Sequence, residues 1–367
     1  MANISHLFSP NFIQTSTKQL FSFHQQKEHR DFSVLSMASS SIPLNNVEYL
    51  EREFKGHGVS FAGIGNSYVV RMRLENGSVA SLMVPSGLIT SYKAHMWHGS
   101  TMEFLHTNVL EREDGSVCVQ GGMSMDLKCG IKGEASSWSP RTWVLHDVKG
   151  DSEESIQVEL RCRDSENRVE LRNTVTLQPD ILTSDVLISN LQSSPLQLTG
   201  SLMSHLTVST PDATYAVGLE GSDYYSKPPF ISDFSIIPPE ISEKKTGGVF
   251  QGLFSSWAPK SESNVEEVEE QSEGEEKDNY KHLTEEFSRI YTSAPQEYTL
   301  IDRGRRNSVA VGSSGFEELY IFSPGSMHEW YGKFSYICTG PSAMLKPIIL
   351  DGKGEWMGQQ YLHNPSL

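Results

Sequence analysis

An antiparallel all-β sandwich is the fold class that this 367-residue chain predicts. Three features predict it. Short apolar or alternating runs recur along the chain, with turn signals roughly every 8–12 residues. Almost no window carries a helical period with caps at its ends. At 37 % hydrophobic and 10 % aromatic residues, the chain can bury the core of a single sandwich of more than roughly 200 residues.

Residues 1–40 stand outside that pattern. They are rich in Ser, Thr, Asn, Gln and Phe, with no acid before Glu28 and with Lys18, Lys27 and Arg30 as the bases. They lack a contiguous apolar stretch, so a secretory signal is not predicted. The composition predicts an organelle transit peptide, chloroplast rather than mitochondrial, cleaved near Ser36–Ser41. A disordered cytosolic tail is the alternative.

The β pattern begins after Val47. Runs at Val59–Ala62, Tyr68–Leu74, Ser78–Val84 and Ser91–Trp97 are punctuated by Gly63-Ile64-Gly65-Asn66, Glu75-Asn76-Gly77 and Pro85-Ser86-Gly87. Asn76-Gly77 between two runs is a strong hairpin signal. Gly63-x-Gly65 lacks a third glycine and a following helix, so it reads as a turn and not as a dinucleotide loop. Further strands are predicted at Val117–Gln120, Arg141–Val148, Ile156–Arg163, Val169–Leu177 and Ile181–Asn190. After a break they resume at Phe287–Ser293, Tyr298–Asp302, Val309–Gly312, Leu319–Phe322 and Tyr336–Thr339. The break is a Pro- and Ser-rich stretch, 227–252, followed by an acidic run at 261–278. That run carries nine acids and one lysine, about −8 of a chain total of −16. It self-repels and supplies no core. The expected organisation is therefore one β-sandwich domain made of 47–229 and 285–365, with 230–284 as a disordered insertion.

Composition also excludes partners. A net charge of −16 argues against nucleic acid. No apolar run approaches ~20 residues, so no transmembrane helix is predicted and any membrane association is peripheral. Cys118, Cys129, Cys162 and Cys338 form no C-x-x-C pair and read as buried or half-buried thiols. His95-x-x-His98 with His106 lacks a grouped acidic ligand, which disfavours a metal site. No flavin, nicotinamide or iron–sulfur motif is present, so no cofactor is expected and this chain should not itself carry electrons. Trp97, Trp138, Trp257, Trp330 and Trp356 are candidate interface anchors.

The stretch 200–227 carries the chemical signal. Leu202, Ser204, Leu206 and Val208 alternate with Met203, His205, Thr207 and Ser209, which predicts a strand with a histidine on its more polar face. A Pro-Asp turn and a short strand, Tyr215–Leu219, follow. His205, Val208-Ser209, Gly218-Leu219-Glu220-Gly221 and Tyr224 in this order resemble the galactose mutarotase-like superfamily, in particular its hexose-6-phosphate 1-epimerase branch. Arg289-Ile290-Tyr291 and the closing Gly354-Glu355-Trp356-x-Gly358-x-Gln360 extend the resemblance over roughly 50–365. It implies a mutarotase-like β-sandwich, or supersandwich. It also implies a mechanism in which a carboxylate takes the anomeric proton while a histidine protonates the ring oxygen.

His205 matches the acid. The base position, a glutamate in relatives, falls on Gly340 of Ile337-Cys338-Thr339-Gly340, and neither Glu329 nor Asp351 lies where it would substitute. The Gly-Gly-Ile-Pro loop of relatives reads here as Gly121-Gly122-Met123-Ser124. Their His-Gly-Phe-Ala-Arg segment reads as Ser137-Trp138-Ser139-Pro140-Arg141, in which only Arg141 survives. Loss of one such group costs general acid–base catalysis on the order of 10²–10⁴-fold. The expectation is a pseudoenzyme with His205 and Arg141 as vestiges.

A degenerate mutarotase fold with a plastid transit peptide and an acidic insertion is similar to the mutarotase-like subunits of the photosynthetic chloroplast NADH dehydrogenase-like complex. That resemblance implies a peripheral, stroma-side thylakoid subunit supporting cyclic electron flow around photosystem I and plastoquinone reduction. Its implied partners are other subcomplex B subunits, membrane-arm subunits and the photosystem I supercomplex. An active plastid hexose-phosphate epimerase and a carbohydrate-binding module remain as alternatives.

Overall fold

The computed structural model describes residues 47–111, 117–131, 137–238, 241, 272–327 and 331–364. The expected transit peptide, residues 261–271 of the acidic run, Trp257 and Trp330 lie outside them.

Strand-forming runs of period two pair into two antiparallel sheets. Among the described residues one sheet has 13 strands and the other nine, with a separate ribbon of Thr107–Glu111 and Val117–Gly121. The middle of the larger sheet runs Leu88–His95, Met123–Ile131, Leu196–Thr207, Tyr336–Leu350, Glu318–Ser323, Phe287–Tyr291. The second runs Val144–Gly150, Ile156–Arg163, Val169–Leu177, Ile181–Asn190, Glu355–His363, Asn307–Ser314, Glu297–Asp302, Thr214–Val217, Tyr280–His282. The last strand, Glu355–His363, thus lies between an early strand and a late one, and both sheets draw on residues before 229 and after 285. Asn76-Gly77 makes the hairpin between Ser67–Arg73 and Val79–Val84, with Gly77 at φ 96°, a backbone conformation that glycine adopts without a Cβ penalty.

Alternation sets which face is buried. Val169–Leu177 buries every second residue, as a strand with one face in the core and one toward solvent must. The main core lies between the sheets and includes Leu202, Leu206, Tyr298, Val311, Ile337 and Leu362. Leu196–Thr207 departs from this pattern. From Gly200 to Leu206 every residue is buried, because its second face is also covered. A satellite cluster of Met203, Ile290, Tyr320, Phe322, Tyr336 and Cys338 lies there.

Four local expectations are corrected. A helix, Val47–Glu53, precedes the sheets, and its Glu51 accepts the Phe61 N–H at 2.7 Å. This occupies a donor on the edge strand Val59–Ile64, where a free edge invites pairing with other chains. The segment after Gly121-Gly122 is not a loop. Lacking the prolines, it donates a full ladder and forms Met123–Ile131 against the His205 strand. The more polar face predicted for His205 is buried like the other. Finally, the expected insertion 230–284 is built into the body at both of its described ends. Glu273–Glu275 and Tyr280–His282 add edge strands. Between them Glu276 is buried, paired with Arg289 at 2.6 Å and Lys281 at 3.6 Å and accepting from the Tyr291 hydroxyl at 3.2 Å. Arg289 also lies 3.8 Å above the Tyr224 ring. One acid of the low-complexity run is therefore a core counter-ion, a role that composition does not reveal.

Candidate functional site: a closed cleft over His205

His205 sits on the Leu196–Thr207 strand in register with Cys338, and two positions along the Tyr336–Leu350 strand lies Gly340. Gly121 and Gly122 shape the wall beside it. Both have positive φ, 82° and 67°, and a Cβ on either would collide with a backbone carbonyl, that of His106 or Ile89. Only glycines make this turn, which lets the His205 N–H reach the Gly122 carbonyl at 2.8 Å and the Gly122 N–H reach the His106 carbonyl at 2.7 Å.

The imidazole is 2 % exposed. Its Nε2 accepts the backbone N–H of Ile236 at 3.4 Å, so the neutral ring carries its proton on Nδ1. Burial, aided by the neighbouring His106 and opposed by the Gly122 carbonyl, lowers its pKa from the ordinary 6.5 to about 3. At neutral pH the protonated fraction is then roughly 10⁻⁴, whereas a general acid must hold its proton near the working pH. His106 is also depressed by burial; its Nε2 bonds the Lys333 carbonyl at 2.8 Å. The Tyr336 ring lies 5.3 Å from each of the two imidazoles.

Gly340, the position to which the resemblance assigns the base, is closed to a side chain. A Cβ on Gly340 would collide with the Leu202 carbonyl oxygen on the adjacent strand. No side chain fits there without moving a central strand pair. Asp126 shares the His205 face, in register with Ser201. That is four residues along the strand from His205, a backbone separation of about 13 Å. Burial raises the Asp126 carboxyl, opposed by Lys128, by Arg141 and by a bond from the Ser232 hydroxyl.

The cover is the chain's own segment 227–238. The Gly121 N–H donates to the Phe234 carbonyl at 2.7 Å, and the Phe230 N–H donates to the Tyr320 hydroxyl oxygen at 3.0 Å. The Tyr336 hydroxyl donates to the Ile236 carbonyl. Ile236 is buried among Met203, Tyr320, Phe322, Tyr336 and Cys338; full burial of such a side chain contributes about 1.5–3 kcal/mol. Arg141 pairs with Asp233 of the same segment at 3.4 Å, with side chains 77 % and 63 % exposed. The structure therefore brings His205 and Arg141 to one strap, three residues apart, and not to a common open pocket. Sequence reading missed the strap and Tyr336. Its one available signal was the apolar pair Ile236-Ile237 inside a Pro- and Ser-rich stretch.

Of the other singled-out residues, Trp97 is 71 % exposed on a turn, while Trp138 and Trp356 are half-buried against the core. His98 bonds Ser100 on that same turn. The cysteines are free thiols, all buried except the half-buried Cys118.

No family model matches the chain. It is 43 % identical over 350 residues to the Arabidopsis thaliana protein NDH-dependent cyclic electron flow 5, across 94 % of this chain and 90 % of that protein. Among solved structures, a putative mutarotase, YeaD, from Salmonella typhimurium matches 86 % of this chain and 100 % of its own, at 11 % identity and a TM-score of 0.57. Slr1438 protein from Synechocystis sp. PCC 6803 matches 90 % of this chain and 100 % of its own, at 12 % identity and a TM-score of 0.50. At such identity these two likenesses establish the fold alone, a galactose mutarotase-like sandwich.

Proposed function

Because this chain belongs to the family of the Arabidopsis thaliana protein NDH-dependent cyclic electron flow 5, we propose that it is a non-catalytic subunit of the thylakoid NADH dehydrogenase-like complex. In this reading it is a peripheral, stroma-side member of subcomplex B, delivered by the transit peptide at 1–40. It supports the assembly and stability of the complex that reduces plastoquinone in cyclic electron flow around photosystem I. Neighbouring subcomplex B and membrane-arm subunits, with the photosystem I supercomplex, are its partners. Among the described residues no helix is long and apolar enough to cross a membrane.

The observation that carries the non-catalytic part is the pair of blocked positions in the mutarotase cleft. The imidazole is buried in its neutral form, and the base position is a glycine that admits no side chain. A sandwich in this state keeps a rigid body with variable loops, and such bodies serve well as assembly parts.

The test has two arms. On native gels of gently solubilised thylakoids the protein should co-migrate with the large complex, and that complex should be lost when the protein is absent. Recovery only as a soluble stromal monomer refutes the reading. In solution, purified protein should leave the exchange between glucose 6-phosphate anomers, followed by NMR, at its buffer rate. Acceleration would instead favour a plastid hexose-phosphate epimerase.

A further inference from the structure

We propose that the groove over His205 is a peptide site, occupied in cis by residues 227–238, and that its chemistry selects a turn-containing peptide segment with apolar side chains over a sugar. The inference rests on the non-catalytic reading of this cleft.

The body contacts the strap chiefly through its main chain. Ile236 is held at both ends of its own residue, its N–H on His205 Nε2 and its carbonyl by the Tyr336 hydroxyl. The Phe230 N–H bonds Tyr320, the Phe234 carbonyl takes the Gly121 N–H, and the Lys227 N–H donates to the Ser288 carbonyl at 3.1 Å. Main-chain bonds for affinity with an apolar pocket for one side chain are the elements of peptide recognition. Ile236 packs into one apolar cluster with Met203, Ile290, Phe322, Tyr336 and Cys338. A pyranose placed there would bring hydroxyls against this sulfur and hydrocarbon surface, where burying an unpaired polar group is unfavourable. The strap also shapes itself. The Ser235 hydroxyl donates to the Phe230 carbonyl at 3.0 Å, and Ser232 Oγ accepts the Phe234 N–H at 3.2 Å. A ligand that arrives preformed loses less entropy on docking.

Hydrogen exchange on the full chain reads the proposal directly. Amides at 230 and 236 should be protected like those of the Leu196–Thr207 strand. Exchange at free-loop rates overturns the proposal. In the same chain Tyr336→Phe and Ile236→Ala should each speed strap exchange by about tenfold or more, while the distant Val169–Leu177 strand keeps its protection. Unchanged strap exchange overturns it. A third full-length variant replaces 227–238 by Gly and Ser. A synthetic peptide of sequence 227–238, added in trans, should bind this variant about tenfold tighter than its scrambled form, with glucose 6-phosphate not competing. Equal binding of the two peptides, or preferential uptake of the sugar phosphate, overturns it. If the replaced variant does not fold, the two point variants still decide. All readouts use the isolated chain, so they fail or succeed independently of co-migration with the complex.

Discussion

Substituting His205 by glutamine should remove a specific part of this protein's acid sensitivity. The ring is held neutral in the fold, with its pKa lowered by burial to about 3, against about 6.5 in the unfolded chain. The unfolded state therefore binds a proton that the folded state refuses, and stability falls as pH drops below 6.5. The contribution is intact above that value and is lost progressively toward pH 3. Between pH 7.5 and 5.0 the difference amounts to roughly 2 kcal/mol. Glutamine keeps an acceptor for the Ile236 N–H and does not titrate. Other groups move with pH too. Asp126 and Asp185 are raised by burial and oppose the loss, while His106 is lowered and adds to it. They are common to both chains and cancel in the comparison. Urea denaturation of both chains at pH 7.5 and 5.0, each checked for coincident transitions by fluorescence and circular dichroism, gives the two pH differences. Wild type should lose about 2 kcal/mol more than His205→Gln over this range. Equal losses would mean that water or a counter-ion reaches the imidazole, and the closed-cleft argument would fail with it.

Gly340→Ala should cost about 1–3 kcal/mol through its clash with the Leu202 carbonyl, read from the denaturation midpoint. Gly340→Glu should destabilise further and leave anomer exchange at the buffer rate; gained activity would refute the claim that this position is closed. Glu318, buried on the neighbouring strand, accepts the Met344, Leu345 and Lys346 N–H groups at 2.7, 3.0 and 2.6 Å. Glu318→Ala should cost roughly 3 kcal/mol because those donors lose their acceptor together, again read by chemical denaturation. Arg141→Ala should change stability by no more than about 0.5 kcal/mol, since its pairing with Asp233 is solvent-exposed. A larger loss would show that this pairing is needed to hold the strap.

The β-sandwich itself was legible, because alternation and turn chemistry are local. Val169–Leu177 and Ile156–Arg163 run between the predicted residues. Where prediction slipped, tertiary contacts had overridden local pattern. Met123–Ile131 reads as a degenerate loop by comparison with relatives, yet it finds a partner strand on each side. Glu276 reads as one more solvated acid until Arg289, Lys281 and Tyr291 converge on it.

The order of residues alone determined that this chain forms antiparallel sheets, because the period of a strand is written in one dimension, whereas the assignment of Gly340 to the base position came from the resemblance to relatives. Residue order did not determine the state of the remaining imidazole. That depended on a segment some thirty residues downstream folding back over the groove. Only the three-dimensional arrangement excluded water from the ring and left it neutral, because desolvation depends on everything packed around a group and not on its neighbours in sequence.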